Sequence, residues 1–304
     1  MEAIAKERFE PIPKNIQAGQ IIGRKPLSYW QDAWRRLRMN RVAMASMWVL
    51  LFIFLVAIIG PVLFPQYREN HLNETLMAPN AKYWFGTDDL GRDNFARVLR
   101  GSRISLFIGL TVAFISLIIG VLYGGISGYI GGWLDSLMMR IIDILITIPD
   151  MIILILLLVV LKPGVGTLIL ALSLTSWTSM ARLVRGQVLQ LKEQEFILAA
   201  RVLGAGTWRI ILRHLIPNAL SVIIVRFTMS IPGIIFSEAF LSYIGLGIRI
   251  PEASWGNLAS QGAQQFPSNL WLFFIPAAFI CVTMLAFNLF GDGLRDALDP
   301  KMRK

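Results

Sequence analysis

The residues in this chain with the means to do work are few, and they fall into two groups. The first is a basic island, Ala199-Ala-Arg-Val-Leu-Gly-Ala-Gly-Thr-Trp-Arg-Ile-Ile-Leu-Arg-His-Leu-Ile-Pro217, set between long apolar stretches. Glu195, Arg201, Arg209 and Arg213 give it charge, Ala199 and Ala200 a low-relief surface, and Gly204 and Pro217 its breaks. Residues 195–203 read as a helix of good formers that stops at Gly204, where glycine suits the left-handed position after a helix end. Thr207 is placed to cap a second helix that ends at Pro217. Such a segment offers another protein a close-approach surface rather than a reaction.

The second group is the ionisable side chains inside apolar runs: Asp150, Glu238 beside Ser237, Arg226, and the i, i+3 pair Arg140 and Asp143. A charge at the bilayer centre costs at least about 2.5–3.5 kcal/mol, so each needs a partner or a task. Arg140 and Asp143 are expected to pair with each other. Asp150 follows Pro149 and either lines a pathway or interface or caps the kink. Arg226 is placed to snorkel. Glu238 keeps two readings, a hydrogen bond to a partner helix or a gate in a pathway. The Gly245-Leu-Gly247 that follows implies non-helical backbone, tolerated at depth only against protein or water.

The elements that position these groups are apolar helices. The chain has 304 residues, 55% of them hydrophobic and only 16% charged, against roughly 25% charged in a soluble domain. Several apolar runs exceed the ~18 residues that cross a hydrocarbon core. The spans read as 42–64, ended by Pro65; 104–130; 137–161, interrupted at Pro149; 167–183; 219–241, broken at Pro232-Gly233; and 270–290. Gly109, Gly120, Gly124, Gly125 and Gly128 in the second allow close helix approach. The fold class is therefore an all-α polytopic membrane protein with six transmembrane helices.

Charge orients them. Residues 1–41 hold nine Lys and Arg against four acids, which puts this tail in the cytoplasm. The stretch 28–38 reads as an amphipathic helix on the membrane surface, with Trp30 and Trp34 on one face. The 65–103 loop, nearly balanced in charge, then lies outside. The 182–218 loop, with six basic residues against two acids, lies inside by an independent count, and both termini are cytoplasmic. A core domain over 104–291 and a short tail at 292–304 complete the division. Within the outer loop, Gly86–Asp93 alternates Asp and Arg around glycines and reads as a self-paired turn, not a metal site.

Other functions are disfavoured. The net charge of +10 follows from the basic loops of a membrane protein and needs no nucleic acid. Cys281, the single cysteine, lies in an apolar run and suits packing; it excludes an intrachain disulfide. His71 and His214 are far apart and suggest no metal cluster. The polar, basic start is unlike a cleaved signal peptide. Neither a Walker A sequence nor a Ser-His-Asp or zinc-protease constellation is visible.

Ala199-Ala200-x3-Gly204-x12-Pro217 resembles the EAA loop of binding-protein-dependent ABC importer permeases. It departs at Leu198, where that family often has Glu, with Glu195 three residues early. Trp84-Phe-Gly-Thr-Asp-Asp-Leu-Gly-Arg-Asp93 is similar to a signature of the dipeptide and oligopeptide subfamily. So are Ser237-Glu-Ala-Phe-Leu-Ser-Tyr-Ile-Gly-Leu-Gly247 with Pro251 and Ser254-Trp-Gly256, and Asn288-Leu-Phe-Gly-Asp-Gly-Leu-Arg-Asp-Ala-Leu-Asp-Pro300. The long N-tail and first outer loop resemble the C-type subunit of a permease pair. The resemblance implies a type I ABC importer permease fold in a bacterial or archaeal cell (inner) membrane. It implies no enzyme activity in this chain, with ATP and Mg held by partner subunits and no cofactor here. The implied partners are a homologous second permease subunit, two cytoplasmic ATPases, an extracytoplasmic peptide-binding protein and membrane lipid. Docking would fall to Glu195, Ala199, Ala200, Arg201, Gly204, Arg209, Arg213 and Pro217; a pathway or gate to Glu238, Ser237 and Asp150. Alternatives are a related importer of nickel or another small solute, and a stand-alone channel or secondary transporter.

Overall fold

The computed structural model describes residues 28–162 and 164–299. Residues 1–27, Pro163 and residues 300–304, which include most of the expected N-terminal tail, lie outside the described residues. Every regular element among the described residues is helical.

Helix α1 (Tyr29–Met39) opens on a capping box in which Ser28 and Gln31 satisfy each other's backbone N–H groups. Ala33 and Leu37 turn inward while Trp30 and Trp34 stay exposed, as the amphipathic reading expects. Asn40 ends α1 and caps α2 (Arg41–Leu63), accepting from the Ala43 N–H at 3.1 Å. Helix α3 (Asn94–Ile130) follows the 65–93 loop. Then come α4 (Gly132–Thr147) and α5 (Asp150–Val160), bent by 79° at Ile148-Pro149. Helices α6 (Val165–Ser176) and α7 (Thr178–Leu191) form one apolar rod. Helices α8 (Glu195–Val202) and α9 (Thr207–Ile210) make up the island, and α10 (Ile216–Tyr243), α11 (Trp255–Gln264) and α12 (Leu270–Leu298) complete the bundle. Among the described residues, five helical stretches are long and apolar enough to cross a membrane, and a sixth span results if the bent α4–α5 pair counts as one.

Helix α3 is the centre of the bundle. Gly120, Gly124 and Gly128, one turn apart, let it close on α7: a Cβ on Gly124 would stand 2.3 Å from the Ala181 carbonyl oxygen, and one on Gly128 2.9 Å from that of Arg185. Gly109 does the same against Ile235 of α10. Lipid tails give no hydrophobic reward for helix pairing, so this backbone approach is how the helices gain packing contacts.

Four boundaries differ from the sequence reading, each for a tertiary reason. Helix α3 begins at Asn94 rather than 104, because Asp93 caps it and its first turns find polar partners in the preceding loop. Pro217 does not end a helix. The five-residue π turn Ile211–Leu215 joins α9 to α10, and its wider winding accommodates a ring that would clash with the carbonyl four residues back. The Asn218 side chain takes the His214 carbonyl at 2.6 Å. Likewise α10 runs unbroken through the buried Pro232. Helix α12 continues past 290 to Leu298, since Gly291 and Gly293 let its end pack on Met229 and Ala43. Cys281 is exposed on the flank of α12 rather than packed inside.

Candidate functional site

The island is a helix held by one face and free on the other. Ile197 is buried in a cluster with Val184 and Val188 of α7, Ile210, and Ile211 and Leu215 of the π turn, and Ala200 on the same face is buried too. Arg201 lies over the Tyr129 ring at 5.1 Å. The helix ends as a Schellman motif: Ala205 N–H donates to the Ala200 carbonyl at 3.0 Å and Gly204 N–H to that of Arg201 at 2.9 Å. Gly204 has φ +78°, the left-handed value expected there. Thr207 is not the cap; Gly206 occupies that position and Thr207 begins α9.

The free face differs from the one read in the sequence. Of the alanine pair, Ala199 is exposed and Ala200 serves the interior. The exposed surface continues through Leu198, Val202 and Leu203, the last two 88% and 86% exposed. Glu195, Arg209, Arg213 and Pro217 are exposed around it. Once Ile197 and Ala200 are taken as the inner face, the spacing 198, 199, 202, 203 is the opposite face of the same helix, so the signal was present in the periodicity.

The three pathway candidates separate. Asp150 and Ser237 line one cleft of about 320 Å³ together with Ser176, Ser179, Arg226 and Ser230. Arg226 also borders an adjoining groove toward Arg295 and Asp299. Asp150 is the first residue of α5, after Pro149 in the capping position, and makes no ion pair among the described residues. Glu238 is not in this cleft. It is fully buried on the other side of α10, accepting from Ser105 Oγ at 2.9 Å and Ser242 Oγ at 2.8 Å. Ser105 accepts in turn from the Trp255 backbone N–H, and Ser102 from the Trp255 indole, both at 3.2 Å. The hydrogen-bonding reading of Glu238 describes this knot of α3, α10 and α11.

Arg140 and Asp143 do not pair: Asp143 binds Arg182 on α7, and Asp135 binds Arg185 at 2.6 Å. These two ion pairs tie α4 to α7 beside the island.

At the other end of α3, the Gly86–Asp93 turn is self-paired as expected, and more deeply than expected. Asp88 accepts from Arg92 Nε at 2.7 Å and from Arg97, with both arginines buried. Arg92 Nη2 lies 2.7 Å from the same carboxylate but off the hydrogen-bonding direction. Arg97 also donates to Gln261 of α11 at 2.9 Å. Glu252 joins Arg68, Arg100 and Tyr67, binding the 65–93 loop to the segment before α11.

Burial pushes the Glu252 carboxyl up, but hydrogen bonds from Arg100 and Arg68 outweigh it and hold it below its ordinary value of 4.5. A carboxylate favoured in the folded state contributes stability that is fully present above that ordinary value and lost as pH falls through the depressed one. Acidification below about pH 4.5 is therefore expected to loosen this junction. Protease cleavage in the 65–93 loop would rise on acidification in the native protein; in Glu252→Gln cleavage would start high and stay flat. A flat native profile would rule the tie out.

A bundle of helices long and apolar enough to cross a membrane, with an exposed helix and a polar cleft, fits a membrane transport subunit. The chain belongs to the family of binding-protein-dependent transport system inner membrane components, which matches residues 116–304. Residues 28–79 match the N-terminal TM domain of oligopeptide transport permease C. The chain is 52% identical over 293 residues to the dipeptide transport system permease protein DppC of Bacillus subtilis, covering 96% of this chain and 91% of that one. It is 49% identical over 305 residues to the oligopeptide transport system permease protein OppC of the same organism, covering 100% of both. Its fold is similar to a chain of the inward-facing MetNI methionine ABC transporter, with TM-score 0.54 and 20% identity, covering 67% of this chain and 96% of that one.

Proposed function

We propose that this chain is one transmembrane half of an ATP-driven importer of di- and oligopeptides. It pairs with a homologous permease subunit, and of two cytoplasmic ATPases holding ATP and Mg one docks on α8 of this chain. An extracytoplasmic peptide-binding protein delivers the substrate to the opposite side. Both termini of the chain are then cytoplasmic. The observation that carries this reading is the division of α8: Ile197 locks one face into the bundle while Val202 and Leu203 stand bare on the other. A part that is stiffly attached and apolar outside is suited to pass on a partner's motion. The peptide substrate is supported by the names of the close relatives.

Gly204 tests the coupling. A Cβ there meets no atom within 4 Å, so a substitution acts only through its positive φ, at roughly 1–2 kcal/mol for an ordinary residue. Gly204→Val is expected to cut peptide uptake while membrane insertion stays normal; Gly204→Asn, which tolerates this conformation, should retain most of it. Normal uptake in the valine variant, or a purified transporter that works without ATPase subunits, would overturn the docking assignment.

A further inference from the structure

We infer that the cleft between α5 and α10 is this chain's contact for the two charged ends of a short zwitterionic peptide in transit, Arg226 taking the carboxylate and Asp150 the ammonium group. The inference rests on the peptide reading above and assigns that substrate a place in the molecule.

The argument begins with charges that the fold leaves unspent. Three acids of the spans are satisfied, Asp135 by Arg185, Asp143 by Arg182, and Glu238 by Ser105 and Ser242, whereas Arg140 on the exposed face of α4 has no ion pair among the described residues and lines no cleft with an opposite charge. Asp150 and Arg226 have no ion pair among the described residues, with each other or with any third group, yet both line one cavity. Intramembrane charges that do not pair are expensive to keep. Opposite charges on the walls of one cleft suit a ligand that carries both signs. A guanidinium presents paired donors to a carboxylate, and a carboxylate accepts well from an ammonium.

The rest of the lining agrees. The volume of about 320 Å³ lies at the lower end of the ~300–1,000 Å³ of small-molecule sites, which suits a few residues of peptide. Ser230 and Ser237 donate to carbonyls of their own helix, Phe227 and Gly233. Their oxygens therefore remain available to accept peptide N–H groups. Arg226, Ser230, Gly233 and Ser237 follow one another at intervals of 4, 3 and 4 residues, a single stripe along α10. This stripe suits the ends and backbone of a peptide, while Leu154, Leu172, Met229 and Ile234 of the same lining offer its side chains only apolar contact.

The test uses the complete transporter, with its partner permease, ATPases and binding protein, reconstituted in vesicles with radiolabelled trialanine. Arg226→Gln and Asp150→Asn should each lower the maximal uptake rate roughly tenfold or more. The half-saturating concentration of loaded binding protein and its stimulation of ATP hydrolysis should not change. Arg226→Lys should recover much of the loss, and the exchanged pair Asp150→Arg with Arg226→Asp part of it, because a zwitterion can enter end for end. If Arg226→Gln fails to assemble, Asp150→Asn reads the same contact alone. Native uptake rates in both neutral variants, or a loss that always accompanies lost ATPase stimulation, would overturn the inference while leaving the peptide reading in place. A native complex that hydrolyses ATP but imports no trialanine would overturn both.

Discussion

Replacing Asp88 by alanine is expected to destabilise the purified protein by roughly 3–5 kcal/mol, the usual cost of removing one partner from a buried ion pair. The size comes from what is left behind. Arg92 and Arg97 are 2% and 1% exposed, and both direct their guanidinium groups at this carboxylate. Without it Arg97 keeps only Gln261, a neutral acceptor. Asp89→Ala is the control: its carboxylate is well exposed and lies 3.8 Å from Arg92, so its loss should cost no more than about 1 kcal/mol. Thermal unfolding in detergent would measure both. The double variant Asp88→Ala with Arg97→Met should be more stable than Asp88→Ala alone, because it removes one stranded charge. Equal unfolding temperatures for Asp88→Ala and the native protein would show that the hub is not structural.

Placing a charge on the bare face of α8 should give the opposite pattern, with function lost and fold kept. Val202→Glu or Leu203→Glu changes a side chain that touches little of the bundle, so stability should move by no more than about 0.5 kcal/mol. On the proposed reading, the same change sets an unpaired carboxylate in the centre of the ATPase contact, and uptake should fall by at least about tenfold. The ATPases should also be lost when the complex is captured from detergent through this chain. Ile197→Ala separates the two faces of the helix: it empties a buried site and should cost about 2–5 kcal/mol of stability. Full uptake by Val202→Glu would move the docking surface elsewhere.

The helices and their order were legible because apolar runs of this length have few alternatives, and Gly120, Gly124 and Gly128 announced a close contact before its partner α7 was known. Ends of elements were harder. Pro217 and Pro232 read locally as breaks, yet a π turn and a packed interior let the helix carry on through both. Partners across the fold were not legible either. Arg140 is the sequence neighbour of Asp143, but α7 brings Arg182 to it across 39 residues. Glu238 and Ser237 are adjacent and looked like one site. Consecutive helical residues point about 100° apart, so one entered a buried knot and the other a cleft. The stripe of Arg226, Ser230, Gly233 and Ser237 could have been found by period alone; the apolar residues around it masked the pattern.

The continuity of the helix through Pro217 and Pro232 has a mechanical meaning. From Thr207 to Tyr243 the chain is one helical rod of 37 residues, about 55 Å long at 1.5 Å per residue. One end is pinned by Glu238 to α3 and α11, and the other carries the segment next to α8. On the proposed docking reading, a rod held in this way would serve as a lever with its fulcrum at the Glu238 knot. A tilt of about 5° there would displace the far end, about 46 Å away, by about 4 Å, roughly three quarters of a helical turn. The Asp150–Arg226 cleft lies along the arm between the two, so its walls would part or close by a fraction of that stroke.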